Sequence, residues 1–192
     1  MILKDKVVVV SGIGPGLGQE LAYGAAEEGA KVVLAARTES KLKEVEAEIK
    51  SQGAEVISVI TDITSLESCQ NLVEETVSKF GKVDCLLNSA YRPGNFTEFD
   101  QGDMEDWKET MNTNYFGTMQ LTLEAVKQMK IQKSGSIVMI NSLITKKPLQ
   151  TQGGYAASKG ALTASTKILA KELGPHGIRV NAVYMEIGRA HV

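Results

Sequence analysis

The stretch Val7–Ala22, VVVVSGIGPGLGQELA, decides the fold. Val7 to Val10 form an apolar run with no polar alternation, which suits a strand buried on both faces of a parallel sheet. A helix-forming segment follows within a few residues, and between the two lie Gly12, Gly14, Gly16 and Gly18. Glycine here lets the backbone turn tightly and approach a pyrophosphate, whose charge then rests at the N-terminus of the following helix. A plain structural turn would use the same residue type. The position between a strand and a helix favours a phosphate-binding loop, with Ser11, Gly12, Gly14, Gly16, Leu17 and Gly18 as its candidate residues.

Outward from this loop, short β-branched runs alternate with helix-length amphipathic segments. Strands are expected at 6–10, 31–35, 55–60, 83–88, 136–141 and 178–183, and helices near 16–29, 39–51, 65–80, 104–130 and 155–173. That alternation predicts an α/β fold, a doubly wound parallel sheet in three layers, α/β/α, of the Rossmann type. Thr64 and Glu67 form a capping-box pattern before the third helix, and Gly174–Pro175 stops the last one. No repeats or low-complexity linkers divide the chain. Gly94 to Gly102 is a long irregular stretch where a functional loop could sit.

Composition narrows the function classes. The chain has 192 residues, 43% apolar and 23% charged, with net charge -2. No basic field exists of the kind nucleic-acid binders use, so no nucleic-acid partner is expected. No apolar run is long enough to be a signal peptide or to span a bilayer, so a cytoplasmic protein without membrane contact is expected. Cys69 and Cys85 lie in apolar surroundings without metal-ligand spacing and read as buried, inert thiols. His176, after a helix stop, reads as a solvated cap. Trp107, Met111, Phe116 and Met119 read as core or interface.

After the second strand comes LAARTESKL, in which Ala36 holds the place where an NAD-binding fold usually has an acid, and Arg37 follows. An acid there would repel a 2′-phosphate, whereas an Arg accommodates it, so NADP(H) is favoured, with NAD the alternative. Further on, Tyr155 and Lys159 are spaced i, i+4 and project from one face of a helix. Ser142 lies thirteen residues before Tyr155, just past the fifth strand. Reducing a ketone needs a proton donor to oxygen, and a free Tyr titrates near 10, too high for efficient transfer at neutral pH. An ammonium ~4 Å away contributes roughly 4 kcal/mol at an effective dielectric near 20. That is enough to bring the phenol down by up to about three pH units. Ser142 can hydrogen-bond and polarise the substrate oxygen.

Ser11 with Gly12, Gly16 and Gly18, the pair Tyr155 and Lys159, and Ser142 together resemble the short-chain dehydrogenase/reductase family from Lys6 to about Val183. The resemblance implies that Asn114, with Asn112 the weaker candidate, orders a water in a proton relay to Lys159. It implies that Asp62 and Ile63 meet the adenine, although Asp62 reads equally well as a turn residue. Asn88 and Ala90 match the family's Asn-Asn-Ala-Gly stretch, while Ser89 and Tyr91 depart from it. A glycine site that needed positive φ would be strained by Tyr91, which could instead wall the substrate pocket. The family also implies a small-molecule carbonyl or alcohol substrate, and a homo-oligomer formed through the helices at 104–130 and 155–173.

The family continues past this point with a loop over the nicotinamide, a substrate lid, a helix and a last strand. The expectation is therefore an incomplete domain at 1–185, with the last strand and lid region missing. Ile187–Val192 is what the start of a common sequencing adapter encodes, so 186–192 is expected to be a non-native tail. The expected activity is NADP(H)-dependent interconversion of a ketone or aldehyde and an alcohol. The alternatives are an NAD-dependent secondary-alcohol dehydrogenase and a non-catalytic nucleotide-binding fragment.

Overall fold

Strand and helix alternate along the chain as β1 (Val7–Ser11), α1 (Leu17–Glu27), β2 (Lys31–Ala36), α2 (Glu39–Ser51), β3 (Val56–Ile60), α3 (Leu66–Phe80) and β4 (Cys85–Asn88). They continue as α4 (Met104–Met111), α5 (Thr118–Gln132), β5 (Gly135–Ser142), α6 (Gly153–Leu173) and β6 (Ile178–Met185). The computed structural model describes residues 1–185. The expected tail at 186–192, and the strand and lid expected to be missing after it, lie outside the described residues.

All the strands are parallel, in the order β3-β2-β1-β4-β5-β6. The chain winds outward from β1 to β3, crosses back to β4 beside β1, and winds outward again to β6. Between β1 and β4 the direction of winding reverses, and in open α/β sheets ligands bind at the carboxyl ends of the strands at such a switch point.

Alternation along β1 assigns the two faces. Val7 and Val9 pack with Leu72 of α3, Leu121 and Met129 of α5 and Leu173 of α6. Val8 and Val10 pack with Ala22 of α1 and with Leu42, Val45 and Ile49 of α2. The three expected layers are present. β6 differs from β1, which is buried on both faces. Ile178 and Val180 are buried, but Arg179, Asn181, Val183 and Met185, which alternate with that face, are exposed. The reason lies in the layers: α1 and α2 cover the other half of the sheet, and among the described residues no helix lies over this side of β6.

Two further expectations are corrected. The helix read at 104–130 is not one α-helix: α4 and α5 are joined by a π turn over Asn112–Gly117. Gly117 sits so close to Ile63 that a β-carbon would crowd its side chain and carbonyl. The Thr64–Glu67 capping box does not form. The Thr64 hydroxyl donates to the Asp62 carboxylate at 2.7 Å, a stronger charge-assisted bond. Ser65 caps α3 instead, accepting from the Ser68 amide at 3.3 Å. The Gly174–Pro175 stop holds, with α6 ending at Leu173 and a single 3-10 turn following. No helix among the described residues is long and apolar enough to cross a membrane.

These glycine environments give opposite expectations for one substitution. Gly24 lies inside α1 with open space where a β-carbon would stand. Gly24→Ala should therefore stabilise the fold by roughly 0.5–1 kcal/mol through helix propensity. Gly117→Ala must displace Ile63 and should cost about 1–3 kcal/mol. Urea unfolding of the two variants checks both signs.

Candidate active site

A cleft of about 760 Å³ opens along the carboxyl ends of the strands. Its floor is the turn after β1. Gly12 has φ +88°, and a β-carbon there would overlap the Ala90 backbone, while one on Gly18 would overlap the Gly12 carbonyl oxygen. Gly16, the N-cap of α1, has φ +100° and offers no side-chain cap, so the first amides of the helix have no capping side chain. Gly14 differs: its φ is not positive and the space around it is open, so the turn does not require glycine there.

Ser142, Tyr155 and Lys159 line the same cleft. β5 delivers Ser142 at its last position, and α6 delivers the other two one turn apart. Asn141 joins these elements: its Nδ2 donates to the Lys159 carbonyl at 3.2 Å and to Thr163 Oγ1 at 3.0 Å, while its Oδ1 accepts from the Ser142 amide at 2.8 Å. The N-terminus of α6 is braced by Trp107, whose ring fills the space over Gly153 and Gly154. Sequence reading missed Asn141 and gave Trp107 no such role. Only the adjacency of Asn141 to Ser142 and the paired glycines before Tyr155 could have hinted at them.

The electrostatics differ from the simple ammonium–phenol picture. Lys159 is 4% exposed and donates to the Ile140 carbonyl at 2.7 Å. Burial pushes its ammonium down to about 8. Burial likewise pushes Tyr155 above its ordinary value; a hydrogen bond with Ser142 opposes this and the neighbouring Tyr91 adds to it. The Lys159 nitrogen stands 5.6 Å from the Tyr155 ring centroid. At neutral pH Tyr155 keeps its proton and Lys159 is predominantly charged.

Asn114 is fully buried and lies beneath the cleft rather than on its wall. Its Oδ1 accepts from the Arg92 amide at 2.6 Å, and its Nδ2 donates to the Arg92 carbonyl at 2.9 Å and to Ser158 Oγ at 3.0 Å. The Asn114 side chain thus clamps the loop after β4 onto α6. Asn112 is exposed. Ser11 and Asn88 also lie below the cleft wall. The Ser11 hydroxyl donates to Leu87, and Asn88 donates to Thr122 while its buried Oδ1 has no partner.

The remaining candidates, Leu17, Arg37, Asp62, Ile63 and Ala90, line the cleft, with Ala36 beside them. Arg37 is exposed at the end of β2. Asp62 is both a turn residue and a lining residue. Burial alone would raise its carboxyl, but the Thr64 amide and hydroxyl, with the charge of Arg37, hold it below the usual range. Tyr91 shows no strain, since no positive φ occurs there, and its ring stands edge-on to Tyr155 with centroids 6.4 Å apart. Burial pushes the thiols of Cys69 and Cys85 up to about 11, as inert cysteines require.

The family description "short chain dehydrogenase" matches residues 6–188. This chain belongs to the short-chain dehydrogenase family. An uncharacterized oxidoreductase of Staphylococcus saprophyticus is 37% identical over 94% of the chain and 77% of its own length. The fatty acyl-CoA reductase of Acinetobacter baylyi is 32% identical over 97% of the chain, which spans 64% of that enzyme. Among solved structures, an NAD+-bound xylitol dehydrogenase superposes with a TM-score of 0.94 at 32% identity, over 97% of this chain and 72% of that one. An actinorhodin polyketide ketoreductase with NADPH gives 0.90 at 32% identity, over 95% and 71%. This short-chain dehydrogenase chain is therefore shorter than each of these relatives.

The buried Lys159 has a consequence for stability. Its folded-state pKa lies below its unfolded value of 10.5, so the unfolded chain binds more protons and stability should rise as pH climbs from about 8 towards 10.5. Relative to Lys159→Met, which lacks the charge, the wild type should gain about 2 kcal/mol between about pH 7 and about pH 9.5. Urea unfolding of both proteins at the two pH values measures this difference.

Proposed function

We propose that the chain forms the nucleotide-binding and catalytic core of an NADP(H)-dependent reductase that interconverts a ketone or aldehyde and an alcohol. The observation that carries this reading is that the glycine turn, Arg37, Ser142, Tyr155 and Lys159 all open onto one cleft. The residues fit a dinucleotide. The glycine turn packs its own backbone closely at Gly12 and Gly18 and leaves open space at Gly14 and Gly16, and the N-terminus of α1 turns partial positive charge towards that space. Arg37, with Ala36 in place of an acid, suits the 2′-phosphate of NADP. Asp62 and Ile63 border the adenine end.

A nicotinamide held in this cleft would supply the hydride. Tyr155, which keeps its proton at neutral pH, donates it to the carbonyl oxygen as the hydride arrives at carbon. The Ser142 hydroxyl hydrogen-bonds that oxygen and stabilises its developing charge. The Lys159 ammonium, which donates to the Ile140 carbonyl, would hold the ribose hydroxyls of the cofactor and favour the phenolate that Tyr155 leaves behind. Asn114 serves as a positioning residue through Arg92 and Ser158. Exposed Phe116, Leu123 and Ile168 support a homo-oligomer through the α4–α6 side.

The test combines binding and turnover. NADPH should bind more tightly than NADH, and Ala36→Asp with Arg37→Leu should reverse the preference. Tyr155→Phe keeps the ring and its packing but loses the proton donor. It should lower ketone reduction at least a hundredfold while NADPH affinity, read by fluorescence, stays within about threefold. Near-normal turnover by the Phe variant contradicts the mechanism.

A further inference from the structure

The strand order lays the cleft out in one direction. Arg37 and Asp62 follow β2 and β3 at one end, whereas Tyr91 follows β4 and Met185 ends β6 at the other. The character of the walls changes between them. Beyond Ser142 and Tyr155 the lining comes from Tyr91, Pro93, Phe96 and Met185, with the neutral Gln152 beside them. Among the described lining residues at this end, the only charged one is the buried Lys159.

These side chains are not packed core. Tyr91 is 62% exposed, Phe96 61% and Met185 39%. Tyr91 stands edge-on to the ring of Tyr155, and Met185 pairs in register with Ser142 on the neighbouring strand. Large apolar surfaces therefore frame the proton donor while remaining open to solvent, where an apolar ligand would remove them from water.

The segment that carries Tyr91 is anchored, because the next residue is hydrogen-bonded through both its backbone and its side chain. Asn114 binds both the amide and the carbonyl of Arg92. The Arg92 guanidinium donates to Asp106 at 2.6 Å, Thr110 at 3.0 Å and Glu109 at 2.8 Å. The second oxygen of Asp106 accepts the Asn95 amide at 3.0 Å. Tyr91 thus projects from a locked loop, and a surface fixed before binding loses little entropy when it is covered.

We propose that Tyr91 is a specificity-determining residue, and that with Phe96 and Met185 it selects an uncharged carbonyl compound whose apolar ring lies directly beside the carbonyl group, as in an aryl ketone. The placement of that carbonyl rests on the reductase reading above. A carboxylate or phosphate on the ring would be desolvated against these side chains, and the one cation lining this end, the buried Lys159, is committed to the cofactor ribose in the reading above. A polyol would exchange its water for apolar walls.

The probes are 2-acetylnaphthalene and its carboxylate derivative 6-acetyl-2-naphthoate, with binding followed by ligand fluorescence in the presence of NADP and turnover by NADPH oxidation. The neutral ketone should bind the wild type at least tenfold more tightly than the anion. Tyr91→Ala should weaken 2-acetylnaphthalene tenfold or more, and lower the kcat/KM ratio of that ketone over butanone by a similar factor. Tyr91→Phe should restore both. Equal binding of neutral and anionic probes, or a Tyr91→Ala variant with unchanged affinity and ratio, overturns the proposal. If no ketone is reduced but binding still depends on Tyr91 and favours the neutral probe, the reductase reading fails and the apolar wall stands.

Discussion

The contact on which the site depends is the one between the backbones of Gly12 and Ala90, where β1 and β4 release the chain in neighbouring positions. Two loops leave the sheet side by side at this point, so close that no β-carbon fits on Gly12. Gly18 then closes the turn against the carbonyl of Gly12. Because the loops meet without side chains between them, the N-terminus of α1 faces the cleft directly. The segment after β4 can then run on to Tyr91 and Arg92. A side chain at Gly12 would force the two loops apart and widen the cleft at the start of α1.

On the other half of the sheet, three residues hold the candidate site in place. Asn141 ties the end of β5 to α6, which fixes Ser142 relative to Lys159. Trp107 supports the first turn of α6 under Tyr155. Asn114, turned inward by the π segment, links α6 to the loop that carries Tyr91. π segments are rare and recur at functional sites because they re-aim a side chain within an otherwise regular helix. The fold also tolerates a nearly buried ammonium at Lys159, a local loss of stability of the kind active sites carry.

Legibility in the sequence followed the range of the interactions. The valine run of β1, the glycine turn and the i, i+4 pair of Tyr155 and Lys159 are local features, and the sheet, the turn and the shared cleft match what they imply. Features set by distant partners were not legible. The amide of Asn114 is taken by a residue 22 positions away in sequence. Ser65 caps α3 because Asp62 has captured Thr64, a competition between neighbours that pattern alone does not rank. β6 reads as apolar, yet half its side chains are exposed because burial depends on which helix lies over the sheet. Burial, the largest influence on the Tyr155 phenol, also depends on packing that no local pattern carries.

The most direct measurement is a crystal structure of the chain with NADPH. It should place the diphosphate over the amides at the start of α1, the 2′-phosphate beside Arg37, and the nicotinamide ring facing Ser142 and Tyr155, with the Lys159 ammonium moved from the Ile140 carbonyl to the ribose. A dinucleotide bound outside this cleft, or lying in it with the nicotinamide turned away from Tyr155, would contradict the account.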